Sequence, residues 1–204
     1  MKLRFCDEFD HGLGWQAEDE FLRRTSHAVL AAGRVWVTDA IDGPDIDERI
    51  RALGEPAGVV QLVDRHRRDC EAVARRLGVP LHVTPFGGLP DAPFEALAVS
   101  RVRLWREVAL YFSQERVLVC GDALGSVGYF RAGSEPFGVH PLLRLMPPRR
   151  AFGGLEPEHI LFGHGDGAHG ATAGPALHEA LATARRRLPQ AWLGSLRAGF
   201  GRKR

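Results

Sequence analysis

Three short apolar runs constrain this chain more than any other feature, because each is cut off by a tight turn that delivers a polar side chain. They are Val60-Gln61-Leu62-Val63-Asp64-Arg65-His66, Val117-Leu118-Val119-Cys120-Gly121-Asp122 and Ile160-Leu161-Phe162-Gly163-His164-Gly165-Asp166. Runs of this length, rich in Val, Ile and Leu and bounded by turn residues, read as buried strands. Glycine permits a tight turn and a close approach of backbone. Strand ends are where side chains from distant parts of a chain converge. One carboxylate and two imidazoles, Asp122, His66 and His164, make a sensible metal-ligand set. Each run alone is an ordinary strand followed by an ordinary turn residue; the three in this order are more specific.

Alternating short strands and helices fill the space between. Ser26 to Ala31 and Arg34 to Thr38 flank Gly33 and predict a hairpin. Pro44 opens a helix with Ile46, Ile50 and Leu53 on one face, closed by Gly54. A second helix carries Cys70, Val73, Ala74 and Leu77 inward and ends at Gly78. Leu81 to Val83 is a strand, Pro85 to Pro93 a loop, and Val99 to Phe112 two more strands. Pro175 to Leu188 forms a helix that Pro189 breaks, and Ile160 to Phe162 is the last strand. Residues 125–157 hold many Gly and Pro and resist placement. Hairpin and helix connections together predict mixed sheets in one domain spanning 1–204, with 189–204 as a basic C-terminal extension.

Composition excludes several classes. No apolar run approaches the roughly 18–20 residues of a membrane helix, and Asp7 and Glu8 come too early for a secretory signal. The three cysteines, Cys6, Cys70 and Cys120, are far apart and odd in number, which argues against a disulfide framework and for the cytoplasm. A net charge of +2 does not call for nucleic acid. The basic end from Arg197 to Arg204 reads as a solvated tail.

From roughly Ser26 to Leu188 the chain resembles the metallo-β-lactamase superfamily. In that family one strand leads into an HxHxDH motif, a later strand ends in Gly-Asp and a final strand in Gly-His. The matching segments here are Asp64-Arg65-His66-Arg67-Arg68-Asp69, Gly121-Asp122 and Gly163-His164. Val35-Trp36-Val37-Thr38-Asp39 resembles the strand that ends in an aspartate supporting the ligands. The resemblance implies an α/β fold, an αββα sandwich of two mixed β-sheets flanked by helices.

Departures from the family pattern bear on function. Asp64 stands at the first motif histidine, Arg68 at the acidic ligand and Asp69 at the last histidine, while His66, Asp122 and His164 are unchanged. A further family histidine is missing, since none occurs from Val83 to Val139; Arg103 or Trp105 occupies that region. Arginine offers no lone pair to a metal. Arg68 or Arg103 could instead neutralise Asp122 in place of the lost metal. Three functions follow: a homologue without the two-metal centre that binds a small molecule or partner; a hydrolase holding one divalent ion on Asp64, His66, Asp69, Asp122 and His164; or an interaction protein using its basic end. The oxygen-rich ligand set of the second favours manganese or iron over zinc.

Overall fold

The structure, a computed structural model, describes residues 2–200, with side chains to residue 195. In chain order the elements are β1 (Leu3–Phe9), β2 (Gly12–Ala17), β3 (Thr25–Ala31), β4 (Arg34–Thr38), α1 (Ile46–Leu53), β5 (Glu55–Gln61), α2 (Cys70–Leu77) and β6 (Leu81–Val83). Then come β7 (Glu95–Val102), β8 (Trp105–Phe112), β9 (Val117–Cys120), β10 (Leu124–Gly125), β11 (Gly138–Val139) and α3 (Arg149–Phe152). The chain closes with β12 (His159–Phe162), β13 (Ala168–His169), α4 (Ala173–Thr183) and α5 (Leu188–Phe200).

Two sheets result. The first has strand order β1-β2-β3-β4-β5-β6, antiparallel as far as β4 and parallel thereafter. The second has order β13-β12-β9-β8-β7, antiparallel except for the parallel pair β9 and β12. Side-chain alternation explains the unbroken apolar runs. On β9, Val117 and Val119 face the core between the sheets, while Leu118 and Cys120 face the helix layer. On β5, Val60 faces the sheet–sheet core and Val59 packs with α1 and α2. Strands covered on both faces must be apolar on both. Three cores therefore separate four layers, giving the αββα sandwich that the resemblance implied.

The helix α2 is built as its sequence predicts. Cys70, Val73, Ala74 and Leu77 are buried on one face, and Gly78 takes φ 75° so that its N–H can reach Ala74 O and Arg75 O. Other expectations need correction. The hairpin β1–β2 went unread, because its alternation is interrupted by Gly12 and Gly14 and by acids at 7, 8 and 10. The strand ending at Phe162 is followed by the short β13. α4 stops at Thr183, and Pro189 lies in the first turn of α5 rather than breaking a helix. There its missing N–H costs nothing, since the first turn has no intrahelical acceptor for it. The solvated tail expected from Arg197 to Arg204 lies outside the described side chains. No helix among the described residues is long and apolar enough to cross a membrane.

Residues 125–157 fold around a buried cation, which apolar periodicity cannot reveal. Arg144 is fully buried; its Nη2 donates to Phe130 O (2.8 Å) and Glu135 Oε2 (2.6 Å), and its Nε to Val139 O (3.1 Å). Removing Arg144 leaves the Phe130 and Val139 carbonyls without this donor and Glu135 with only Arg187 (3.3 Å) as its cation, at a cost of about 3–5 kcal/mol. Arg144→Met is therefore expected to lower the free energy of unfolding by about that amount, read from urea denaturation; a loss under 1 kcal/mol would contradict this role.

Candidate functional site

The site lies where the two sheets are joined by backbone. Val63 bridges Glu107 and Arg24 bridges His164, while Val108 N donates to Leu62 O (2.9 Å) and Asp64 N to Arg106 O (3.0 Å). Because β9 and β12 run parallel, Gly121-Asp122 and Gly163-His164 leave neighbouring strand ends side by side. Both glycines are needed for that approach. A Cβ on Gly163 would lie 2.7 Å from Gly121 O, and one on Gly121 would lie 2.3 Å from Val63 Cγ2.

Asp122 is the centre. Its Oδ1 stands 3.0 Å from His66 Nε2 and 2.9 Å from His164 Nε2. Its Oδ2 accepts from Arg65 Nε (3.0 Å) and Nη2 (2.6 Å). The outer nitrogens of both rings are fixed. His66 Nδ1 donates to Asp39 Oδ2 (2.7 Å), and His164 Nδ1 faces the carbonyl oxygen of Leu22 (3.0 Å). Carboxylates and carbonyls only accept, so both Nδ1 atoms carry protons. A neutral ring then turns an Nε2 lone pair toward Asp122 Oδ1. Three electron-rich atoms, all within 4.8 Å of one another, converge on one point. Such an arrangement needs a cation there, whether protons or a metal ion.

The protons are distributed unevenly. Burial and the Arg68 charge push the His66 pKa down, but Asp39 and the contact with Asp122 more than offset them and raise it. His164 is lowered, since its burial is only partly offset by Asp122. Burial alone would raise Asp122, yet its contacts with the His164 and His66 rings hold it well below the usual carboxylate range. Neutral His164 is therefore the ring whose lone pair most needs a partner.

Asp39 fills the supporting role expected of it. It holds His66 through Oδ2 and accepts Leu62 N at Oδ1 (2.8 Å), from a backbone at φ 45°. Asp64 and Asp69 are not part of the converging group. Asp69 Oδ2 instead accepts Asp42 N (2.9 Å), tying the start of α2 to the loop after β4. Arg103 is exposed in the turn between β7 and β8. Arg68 is inside but makes no hydrogen bond to Asp122. Its guanidinium donates to Thr25 O (2.6 Å), Asp39 O (2.9 Å) and Gly163 O (3.0 Å), joining three strand ends. The cation on Asp122 is thus Arg65, not Arg68 or Arg103, because residue 65 projects toward β9 while residue 68 turns back beneath His66.

Sequence reasoning also missed what steadies Arg65. Its guanidinium lies 4.5 Å over the Trp105 ring, and Trp105 Nε1 donates to Glu107 Oε2 (2.7 Å). Glu107 Oε1 accepts Ala123 N (2.9 Å), one residue past Asp122. Burial, with the Asp122 charge, pushes Glu107 up to about 7. His140 packs edge-on to Trp105 at 4.6 Å, and burial takes it down to about 4. Its Nδ1 accepts Leu142 N (3.2 Å), so a neutral His140 carries its proton on Nε2 and offers no ligand atom there. An acid two residues after a tryptophan on a strand carries no motif that would have flagged it.

Among the described residues, His66, Asp122 and His164 form one group whose donor atoms could hold a metal ion. Two imidazole nitrogens and one carboxylate oxygen are a familiar set for a single transition metal.

Solved structures with the same arrangement of layers align along nearly the whole chain. TMB-1 aligns at TM-score 0.59 and 11% identity, over 94% of this chain and 99% of its own. The metallo-β-lactamase from Pontibacter korlensis aligns at 0.55 and 11%, over 89% and 99%. This chain has the metallo-β-lactamase fold. DIM-1 metallo-β-lactamase aligns at 0.52 and 12% identity, over 90% and 99%. No protein-family model and no curated protein sequence matches the chain. The metallo-β-lactamase fold is thus carried here by a sequence that keeps the layer pattern and the strand-end glycines.

Proposed function

We propose that this protein has exchanged a two-metal centre for one arginine-balanced polar site, and that it binds a small anionic molecule there. The observation that carries this reading is the two-pronged grip of Arg65 on Asp122 Oδ2. An incoming carboxylate or phosphate would compete for the same planar fork. Arg65 is within reach of solvent, its side chain being 42% exposed against 9% for Asp122. Its third nitrogen has only a long contact, 3.5 Å to Leu104 O. Trp105 and Tyr129, which edges onto His140 at 5.4 Å, offer flat apolar surface beside the fork. The three cysteines are free and buried, and we place the protein in the cytoplasm.

The metal content of purified, untagged protein tests this, after growth with manganese, iron and zinc supplied. Wild type is expected to hold well under one ion per chain at the His66 group. Arg65→Ala, which frees Asp122 from its competing cation, is expected to gain one. Two ions per chain in wild type would overturn the proposal.

A second reading, a single-ion hydrolase, is favoured by the His164 lone pair. His66, Asp122 and His164 would hold the ion, and a bound ion would supply a hydroxide by lowering the pKa of its water. With Asp64 and Asp69 outside the group, the donor set suits zinc or iron better than manganese. One stoichiometric ion in wild type, lost in both His66→Ala and His164→Ala, would decide for it.

A further inference from the structure

A second pair of imidazoles converges away from the site. His159 on β12 and His169 on β13 are direct partners in an antiparallel pair, and their Nδ1 atoms stand 2.9 Å apart. Directly opposed residues share one face of a sheet.

The protons here can also be placed. The Asp7 side chain is covered, accepts from Gly167 N (2.8 Å), and meets His27 Nε2 (3.3 Å) and His169 Nε2 (3.1 Å). Burial would raise its pKa, but the hydrogen bonds from His169 and His27 hold it well below the usual range. An ionised carboxylate only accepts, so His169 carries its proton on Nε2 and turns an Nδ1 lone pair toward His159. His159 is held by stacking on Phe9, with ring centres 4.2 Å apart. Its burial lowers its pKa, so it is neutral near pH 7. One proton then lies between the two Nδ1 atoms.

We propose that His159 and His169 form a surface site for a first-row transition-metal ion such as Zn²⁺ or Ni²⁺, separate from the His66 group. The ion takes the place of the shared proton. That proton moves to Nε2 of His159, which has no protein partner among the described residues, so both rings stay neutral and none is released. Bonds of about 2.0–2.1 Å at a tetrahedral angle need roughly 3.3 Å between the nitrogens, a small opening from the present distance. Asp7 is the carboxylate that orients the ligand ring, a common support for metal-bound histidine. Three other groups reach His159 electrostatically: Asp10 and His11, in the turn after β1, and Glu158, which pairs with Arg116. Water, with or without one of these groups, would complete the coordination. Such an ion would clamp β12 to β13 and so brace the loop that carries His164.

Ni²⁺ titrated into untagged, chelator-treated protein tests this. Wild type is expected to bind one equivalent here and to melt at a higher temperature when it does. His159→Gln and His169→Gln are each expected to weaken binding by more than about tenfold, and Asp7→Asn by about tenfold. His66→Ala should leave this affinity unchanged, which separates the result from the metal content of the other site. In wild type, paramagnetic Ni²⁺ should broaden the His159 and His169 ring signals before those of His66 and His164. Affinity kept within twofold in both glutamine variants, or broadening confined to His66 and His164, would overturn the assignment.

Discussion

Asp122→Ala is expected to destabilise the fold by about 3–5 kcal/mol, the usual cost of stripping a buried charge from its partners. The carboxylate meets His66, His164 and Arg65 at once, and Arg68 stands behind His66. Without it the Arg65 guanidinium loses its carboxylate partner and the two buried rings face an empty space where Oδ1 stood. For a chain of this size each kcal/mol shifts the melting temperature by about 2–4 °C, so a fall of roughly 6–20 °C is expected. The pH dependence has a definite sign. A carboxylate whose folded pKa is depressed contributes stability above its ordinary pKa, and that stability is lost as pH falls through the folded value. Wild type should therefore lose more stability than the variant on acidification below about pH 4. Melting curves at pH 7 and at about pH 2 read both effects. Equal acid sensitivity in the two proteins would mean that Asp122 is not held ionised by its neighbours.

The second large effect is expected at a position with no functional group. In Gly163→Ala the new methyl would lie 2.7 Å from Gly121 O and 3.1 Å from Gly121 C, both backbone atoms that cannot rotate away. Relief requires β12 and β9 to part at their ends, which draws His164 away from Asp122. A loss of about 1–3 kcal/mol is expected from the overpacking alone. The His164 ring signals in NMR should also lose their coupling to the Asp122 titration. Gly128→Ala serves as the comparison, because nothing lies within 4 Å of its added Cβ. Similar stability in the two variants would show that the strand ends give way more readily than the packing indicates.

The legible parts of the fold are those where local chemistry and burial agree. Gly33 between two β-branched runs predicts the β3–β4 turn, and it takes φ 75° there. The runs at β9 and β12 are apolar on both faces because a core covers each face, so they stand out in the sequence. Where a polar group organises the chain, the pattern is silent. Arg144 holds residues 130–139 from inside, and nothing separates it in sequence from the other arginines. The site divides the same way. His66, Asp122 and His164 share the strand-turn-polar pattern and are brought together. Asp64 and Asp69 share the neighbourhood in sequence, but the turn after β5 directs them elsewhere. The choice between Arg65 and Arg68 depends on that turn too. Arg68 sits at φ 42°, a backbone state that residue type does not forecast for arginine.

The two sheets are drawn from consecutive halves of the chain. Residues 3–83 build the first sheet and 95–169 the second, and no strand crosses over. The helix-side cores are private to each half, and only the central core is shared. Asp39, His66 and Arg65 come from one half, Asp122 and His164 from the other. The polar cluster is therefore a seam between two self-contained pieces. Whatever occupies it, proton, ion or small molecule, acts as an adhesive whose binding free energy adds directly to the cohesion of the halves.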